Sequence, residues 1–185
     1  HDGSSLGSLG GAGLAGTSVS VDSETQLGLS ASYLLTDKVG IELLAATPFT
    51  HTVTGHGAPI DGLEIAEVKH LPPTLSVQYF PLAADSVWQP YVGVGINYTI
   101  FFDEDLSSDI VGLLGDGDIE LDDSIGLAFE LGTDYKVNDQ WVVNAAVWKI
   151  DLDTTATIDL DSGSVVKVDV DIDPWVYMLS VGYQF

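Results

Sequence analysis

Residues 177–185 carry an apolar or aromatic side chain at every odd position and a small or polar one at nearly every even position. A β-strand points successive side chains to opposite faces, so Tyr177, Leu179, Val181, Tyr183 and Phe185 form one apolar stripe. Comparable alternation marks seven strand-like runs: residues 19–35, 39–50, 63–80, 88–102, 118–135, 141–160 and 165–185. Connections at 36–38, 82–87 and 136–140 are short, whereas 51–62, 103–117 and the glycine-rich start are long. Short turns on one side and long loops on the other are the asymmetry of an antiparallel barrel in a bacterial outer membrane. Several runs exceed the 9 to 11 residues that cross a bilayer, which predicts a barrel projecting beyond it.

Parity changes within single runs. Trp175 to Phe185 is apolar at odd positions, but Val166, Val168, Val170 and Ile172 are even, with Lys167, Asp169, Asp171 and Asp173 between them. The preceding run does the same: Trp141, Val143, Ala145 and Val147 are odd, then Trp148, Ile150, Leu152, Ile158 and Leu160 are even. A bulge shifts the count by one residue, but a barrel explains both flips together. Where the wall meets lipid its apolar side chains face out; above the membrane they face in. The upper interior is therefore predicted to be apolar. Below it, the same parity turns Gly28, Ser30, Ser32, Glu42, Thr74, Ser76, Gln78, Gly93, Gly95, Asn97, Glu130, Asp134, Asn144 and Gln184 inward. A small barrel fills with such side chains, so an open ion pore is not expected.

Pro48, Pro72, Pro73 and Pro174 sit near these transitions. Each lacks a backbone donor, which places it at a bend or bulge or beside an opening in the wall. Pro72-Pro73 is the strongest candidate for an opening, because the pair interrupts an otherwise continuous run.

Composition narrows the class. The 185 residues fit one domain, 1–185, and 45% of them are hydrophobic. No run approaches the roughly 20 apolar residues of a membrane helix, so a bilayer-spanning form must be a closed barrel. Five lysines, no arginine and 28 acids give a net charge of −23, a field that repels nucleic acid. Acids concentrate in 103–123 and 151–173, yet no spacing matches a calcium loop, and no metal or cofactor is expected. Enzyme readings are poor: His1, His51, His56 and His70 are the only histidines, and no nucleophile and base are visibly paired. His51 and His56 are read as solvated loop residues, and no catalytic residue is assigned.

Leu6-Gly7-Ser8-Leu9-Gly10-Gly11, Thr25-Gln26-Leu27-Gly28-Leu29, Gly40-Ile41-Glu42-Leu43-Leu44-Ala45-Ala46-Thr47-Pro48-Phe49, His70-Leu71-Pro72-Pro73-Thr74-Leu75, Gln89-Pro90-Tyr91-Val92-Gly93, Gly95-Ile96-Asn97-Tyr98-Thr99 with Phe101-Phe102-Asp103, and Asp173-Pro174-Trp175-Val176 resemble the OmpW family of outer-membrane proteins over nearly the whole chain. The resemblance implies an all-β, antiparallel, transmembrane up-and-down β-barrel of eight strands. It also implies passive uptake of small hydrophobic molecules, with lateral release through the wall into the membrane. Leu44 and Trp148 match the residues that narrow the apolar passage. Family members begin with a strand ahead of the glycine-rich segment; seven are visible here, so the N-terminal strand is expected to be missing and residues 1–18 to form a loop.

These readings assign the hydrophobic channel to Leu44, Trp148, Ile150, Leu152, Val168 and Val170, and the lateral opening to Pro48, Pro72, Pro73 and Pro174. Tyr177, Leu179, Val181, Tyr183 and Phe185 resemble the end signal read by the outer-membrane assembly machinery. Expected partners are small hydrophobic solutes, outer-membrane lipid and lipopolysaccharide. The alternative is a structural or surface-interaction barrel whose acidic external loops bind divalent cations, lipopolysaccharide or a partner protein.

Overall fold

A computed structural model describes residues 3–5, 18–22, 24–57, 60–114, 116–161 and 165–185. Strands and one helix follow in the order β1 (Gly3–Ser5), β2 (Ser18–Val21), β3 (Gly28–Leu34), β4 (Val39–Ala46), β5 (Phe49–His56), β6 (Glu64–Leu71), β7 (Thr74–Tyr79), β8 (Trp88–Leu106), α1 (Ser108–Leu114), β9 (Gly117–Leu121), β10 (Ser124–Lys136), β11 (Trp141–Ile150), β12 (Asp153–Leu160), β13 (Val165–Asp171) and β14 (Trp175–Tyr183). All ladders are antiparallel.

The wall has two tiers. In the lower one, β3, β4, β7, β8, β10, β11 and β14 pair in that order, making seven strands as expected. The outer strands β3 and β14 share no ladder, although the Met178 sulfur lies 3.6 Å from where a Cβ on Gly28 would sit. Above, β1, β2, β5 and β6 continue the wall to the upper part of β8, and β9, β12 and β13 form a separate three-stranded sheet.

Among the described residues only β8 passes through both tiers unbroken. The other long runs split where parity changes: between β4 and β5, β6 and β7, β9 and β10, β11 and β12, and β13 and β14. At the β13–β14 joint Asp173 adopts a positive φ of 40°, a turn conformation few non-glycine residues adopt. Below the joints Leu43, Leu75, Val94, Ile96, Leu127, Phe129, Leu131 and Leu179 are exposed on the outside; above them Val68, Phe101, Ile119, Ala156 and Ile158 are buried inside. This inversion matches a change of outer solvent from lipid to water.

Aromatic residues mark the lipid boundaries. Trp88, Tyr135, Trp141, Tyr183 and Phe185 stand exposed at the end with the short turns, and Tyr98 and Trp175 near the joints. From Trp88 to Tyr98 the strand climbs about 33 Å at its usual rise, and a tilt of about 40° leaves roughly 25 Å along the membrane normal. That equals the height of the apolar band of such barrels.

Three expectations need correction. The first half of residues 51–62 is strand, because β5 runs to His56 and pairs with β6 to continue the wall above the membrane; Gly57 and Gly62 in the connection have positive φ. Residues 103–117 contain α1, whose first turn is capped by Ser107: its carbonyl accepts from Val111 N–H at 3.0 Å and its Oγ from Ile110 N–H at 3.3 Å. Within 1–18, residues 3–5 form a strand on β2, while 6–17 lie outside the described residues.

Candidate functional site

The upper tier encloses an apolar cavity of about 130 Å³. Inward positions of each strand build it: His51 and Val53 from β5, Val68 and His70 from β6, Phe101 from β8, Ile119 from β9, and Ala156 and Ile158 from β12. Leu152, Val170, Ile172 and Pro174 complete the far wall.

Trp148, Ile150 and Leu44 do not line this cavity. They are buried in the same apolar cluster, on the lower-tier strands β11 and β4, and form the packing beneath it. Trp148 is completely buried, and among the described residues its indole N–H has no partner. Of the six residues expected to form the channel, the structure therefore brings Leu152 and Val170 to the cavity wall and Leu44, Trp148 and Ile150 to its floor. The side chain of Val168 lies outside the described residues.

Under that floor the lumen is a hydrogen-bonded plug. Glu130 accepts from Ser76 Oγ at 3.1 Å and from Gln78 Nε2 at 3.1 Å, and Glu42 accepts from Ser32 Oγ at 2.9 Å. Asn144 Nδ2 donates to Tyr91 Oη at 2.8 Å and to Asp134 Oδ1 at 2.7 Å. Gly93 makes room for it, since a Cβ there would stand 2.7 Å from Glu130 Oε2. Glu42, Thr74, Ser76, Gln78, Asn97 and Glu130 are buried as the parity predicts. Gly28 and Ser32 on the open-edged strand β3, and Gln184 beyond the last rung of β14, are instead exposed.

Three of the four prolines converge on one interruption of the wall. The β4–β7 ladder ends at Leu44 and Thr74, and the β5–β6 ladder begins at Phe49 and His70. Between them residues 45–48 face residues 71–73 without a ladder, with Pro48 on one side and Pro72 and Pro73 on the other. On the β8 side the break is sealed: Tyr98 N–H donates to Pro73 O at 3.0 Å, and Asn97 Nδ2 to Pro72 O at 3.2 Å. Pro174 lies apart, between β13 and β14, where its carbonyl accepts from Ile150 N–H at 3.2 Å.

Beside this interruption stands a group of rings that strand parity alone does not single out. His70 is stacked on Phe49 with centroids 5.3 Å apart and on His51 at 5.0 Å, and Phe101 is tilted against it at 5.7 Å. His51 Nδ1 lies 3.2 Å from Asp22 Oδ1, and Asp22 also accepts from Thr52 N–H. His51 is thus a wall residue rather than a solvated loop residue. The signal was available: Phe49, His51 and Val53 alternate, as do Val68 and His70 on the partner strand.

Burial, reinforced by the charge of His51 and opposed by Glu24, pulls the His70 imidazole down from 6.5 to about 4. The folded chain therefore resists a proton that the unfolded chain accepts. Stability is intact above pH 6.5, declines as the pH falls below it, and has lost roughly 3 kcal/mol by pH 4. His70→Phe removes the titrating group while keeping a ring, so its unfolding midpoint should be flatter between pH 6.5 and 4. Gel-mobility unfolding curves across that range check this; equal slopes would contradict it.

Among the described residues, Asp151, Asp153 and Asp173 have carboxylate oxygens within 4.8 Å of one another. Lys149 Nζ lies 3.6 Å from Asp173 Oδ2 and supplies a positive charge there.

Comparison with known proteins agrees with this architecture. The model of the OmpW family matches residues 7–185. Outer membrane protein W of Vibrio cholerae is 47% identical over 90% of this chain and 76% of its own length, and that of Escherichia coli 48% over 99% and 80%. The crystal structure of the outer membrane protein OprG from Pseudomonas aeruginosa superposes with a TM-score of 0.89 at 49% identity, covering 100% of this chain and 88% of that one. Two-tiered wall, apolar girdle and sequence match together make this chain a member of the OmpW family of outer-membrane β-barrel proteins.

Proposed function

We propose that the chain is a passive channel for small hydrophobic molecules, which enter the upper cavity from outside and leave sideways into the outer membrane. The observation that carries this reading is the stacking of an apolar cavity on a polar, side-chain-filled plug. A hydrophobic solute gains about 0.8 kcal/mol per methylene on leaving water for such a cavity and would forfeit that gain in the plug. Sideways, the interruption at Pro48, Pro72 and Pro73 offers a route into lipid. An opening in a membrane wall ordinarily strands backbone N–H groups, each at a cost of several kcal/mol in hydrocarbon. Proline has no such group, so these three residues let the ladder lapse without that cost.

Pro72→Ala/Pro73→Ala restores two backbone donors at the interruption and favours closure of the wall. Transfer of a fluorescent apolar solute into the lipid of proteoliposomes should slow about tenfold, as if the barrier had gained roughly 1.4 kcal/mol. Unchanged transfer in the double variant would remove the lateral route. Wild-type transfer no faster than into protein-free vesicles would remove the channel. The cation-binding alternative has the acidic trio near Asp173 in its favour, but Lys149 already neutralises part of that charge.

A further inference from the structure

The cavity wall is not uniformly aliphatic. Val53, Val68, Ile119, Leu152 and Ile158 would hold any apolar solute of suitable size. The discriminating part is the ring-lined side. Phe49 and His70 face each other across β5 and β6, and His70 faces Phe101 across β6 and β8, so the three rings occupy one rung. His51 adds a second ring nearly parallel to His70, at 17°. His51, His70 and Phe101 all reach the cavity, and the contact of His51 with Asp22 fixes its ring.

Two properties make this side a recognition surface. It is flat and aromatic, and aromatic rings attract one another in offset or tilted arrangements beyond what buried area supplies. It is also polar at its edge. The His70 ring reaches the cavity, and an uncharged imidazole offers one donor and one acceptor. At about 130 Å³ the cavity is close to the roughly 150 Å³ of an apolar protein cavity that takes up benzene.

We propose that this cavity selects small planar aromatic solutes bearing a polar edge group, of the phenol class, over aliphatic solutes of equal size, with His70 and His51 as the specificity-determining residues. The solute ring lies against the stacked imidazoles, and its hydroxyl exchanges a hydrogen bond with His70. This rests on the channel reading and adds the class of solute to it. Stacking and one hydrogen bond together amount to a preference of about tenfold or more for phenol over cyclohexane.

The test titrates the folded barrel in lipid nanodiscs with phenol, benzene and cyclohexane, following the side-chain NMR resonances of His51, His70 and the cavity valines so that partition into lipid is not counted. Phenol should shift both histidine rings and bind about tenfold tighter than cyclohexane. His70→Phe keeps the stacking face and should retain benzene while losing the advantage of phenol over benzene. His70→Leu should bring benzene and cyclohexane to similar affinity. Equal affinity of phenol and cyclohexane in the wild type, or an unchanged phenol-to-benzene ratio in His70→Phe, would overturn the selectivity and leave the channel standing. If none of the three solutes perturbed the cavity valines, the channel reading would fall with it.

Discussion

Replacing Trp148 with alanine should destabilise the barrel by about 3 to 5 kcal/mol and extend the upper cavity downward. Trp148 is 0% exposed and lies in the ladder between Glu130 on β10 and Val176 on β14, with Ile150 and Leu44 in the same buried cluster. Its removal empties the floor on which the cavity rests, and a bulkier solute is then admitted. Ion conductance should nevertheless stay low, because the plug built on Glu130, Gln78 and Asn144 is untouched. Trp148→Phe separates packing from polarity. Among the described residues the indole N–H has no hydrogen-bond partner, so phenylalanine loses mainly volume and should cost under about 2 kcal/mol. Denaturant midpoints in lipid and planar-bilayer conductance check both variants. An unaffected midpoint in Trp148→Ala would mean that the residue is not part of the floor, and open-pore conductance would mean that it, rather than the plug, keeps ions out.

What the chain reveals before folding is mostly what its period reveals. The parity flips at Trp148 and Pro174 record a change of outer solvent, and each marks a joint between tiers. Pro72-Pro73 was legible for the same reason: two missing donors cannot sit inside a ladder. Other features depend on partners far away in sequence. Nothing near His51 announces that residue 70 will stack on it; that follows from the β5–β6 register. The helix α1 was hidden because its apolar residues, Ile110, Val111, Leu113 and Leu114, span barely one turn, too short a run to set a helical period. Leu44 and Trp148 point inward as read, but whether an inward side chain lines a cavity or supports its floor is decided by the neighbours that fill the space above it.

Close approach of backbones is the feature least visible in sequence, and Gly126 supports the second large prediction. A Cβ on Gly126 would lie 1.7 Å from the Asp151 carbonyl oxygen and 2.7 Å from its carbon. The approach is held by Asp151 N–H, which donates to Leu127 O at 2.8 Å, at the joint where β11 gives way to β12. Both offending atoms are backbone, so no rotamer change relieves the clash; either β10 or the joint must move. Overpacking usually costs about 1 to 3 kcal/mol where side chains can yield, and a clash with backbone belongs in the rarer range above about 4 kcal/mol. Gly126→Ala should therefore refold into lipid with a low yield, and Gly126→Val should not refold. Gly112 in α1 is the control, because among the described residues a Cβ there meets nothing within 4 Å. Gly112→Ala should be neutral or stabilising by up to about 1 kcal/mol, since alanine favours the helix. The yield of the heat-modifiable folded form on gels checks all three. Wild-type yield from Gly126→Ala would show that the joint between the tiers can shift, and the cavity floor resting on that joint could then not be as rigid as the packing around Trp148 requires.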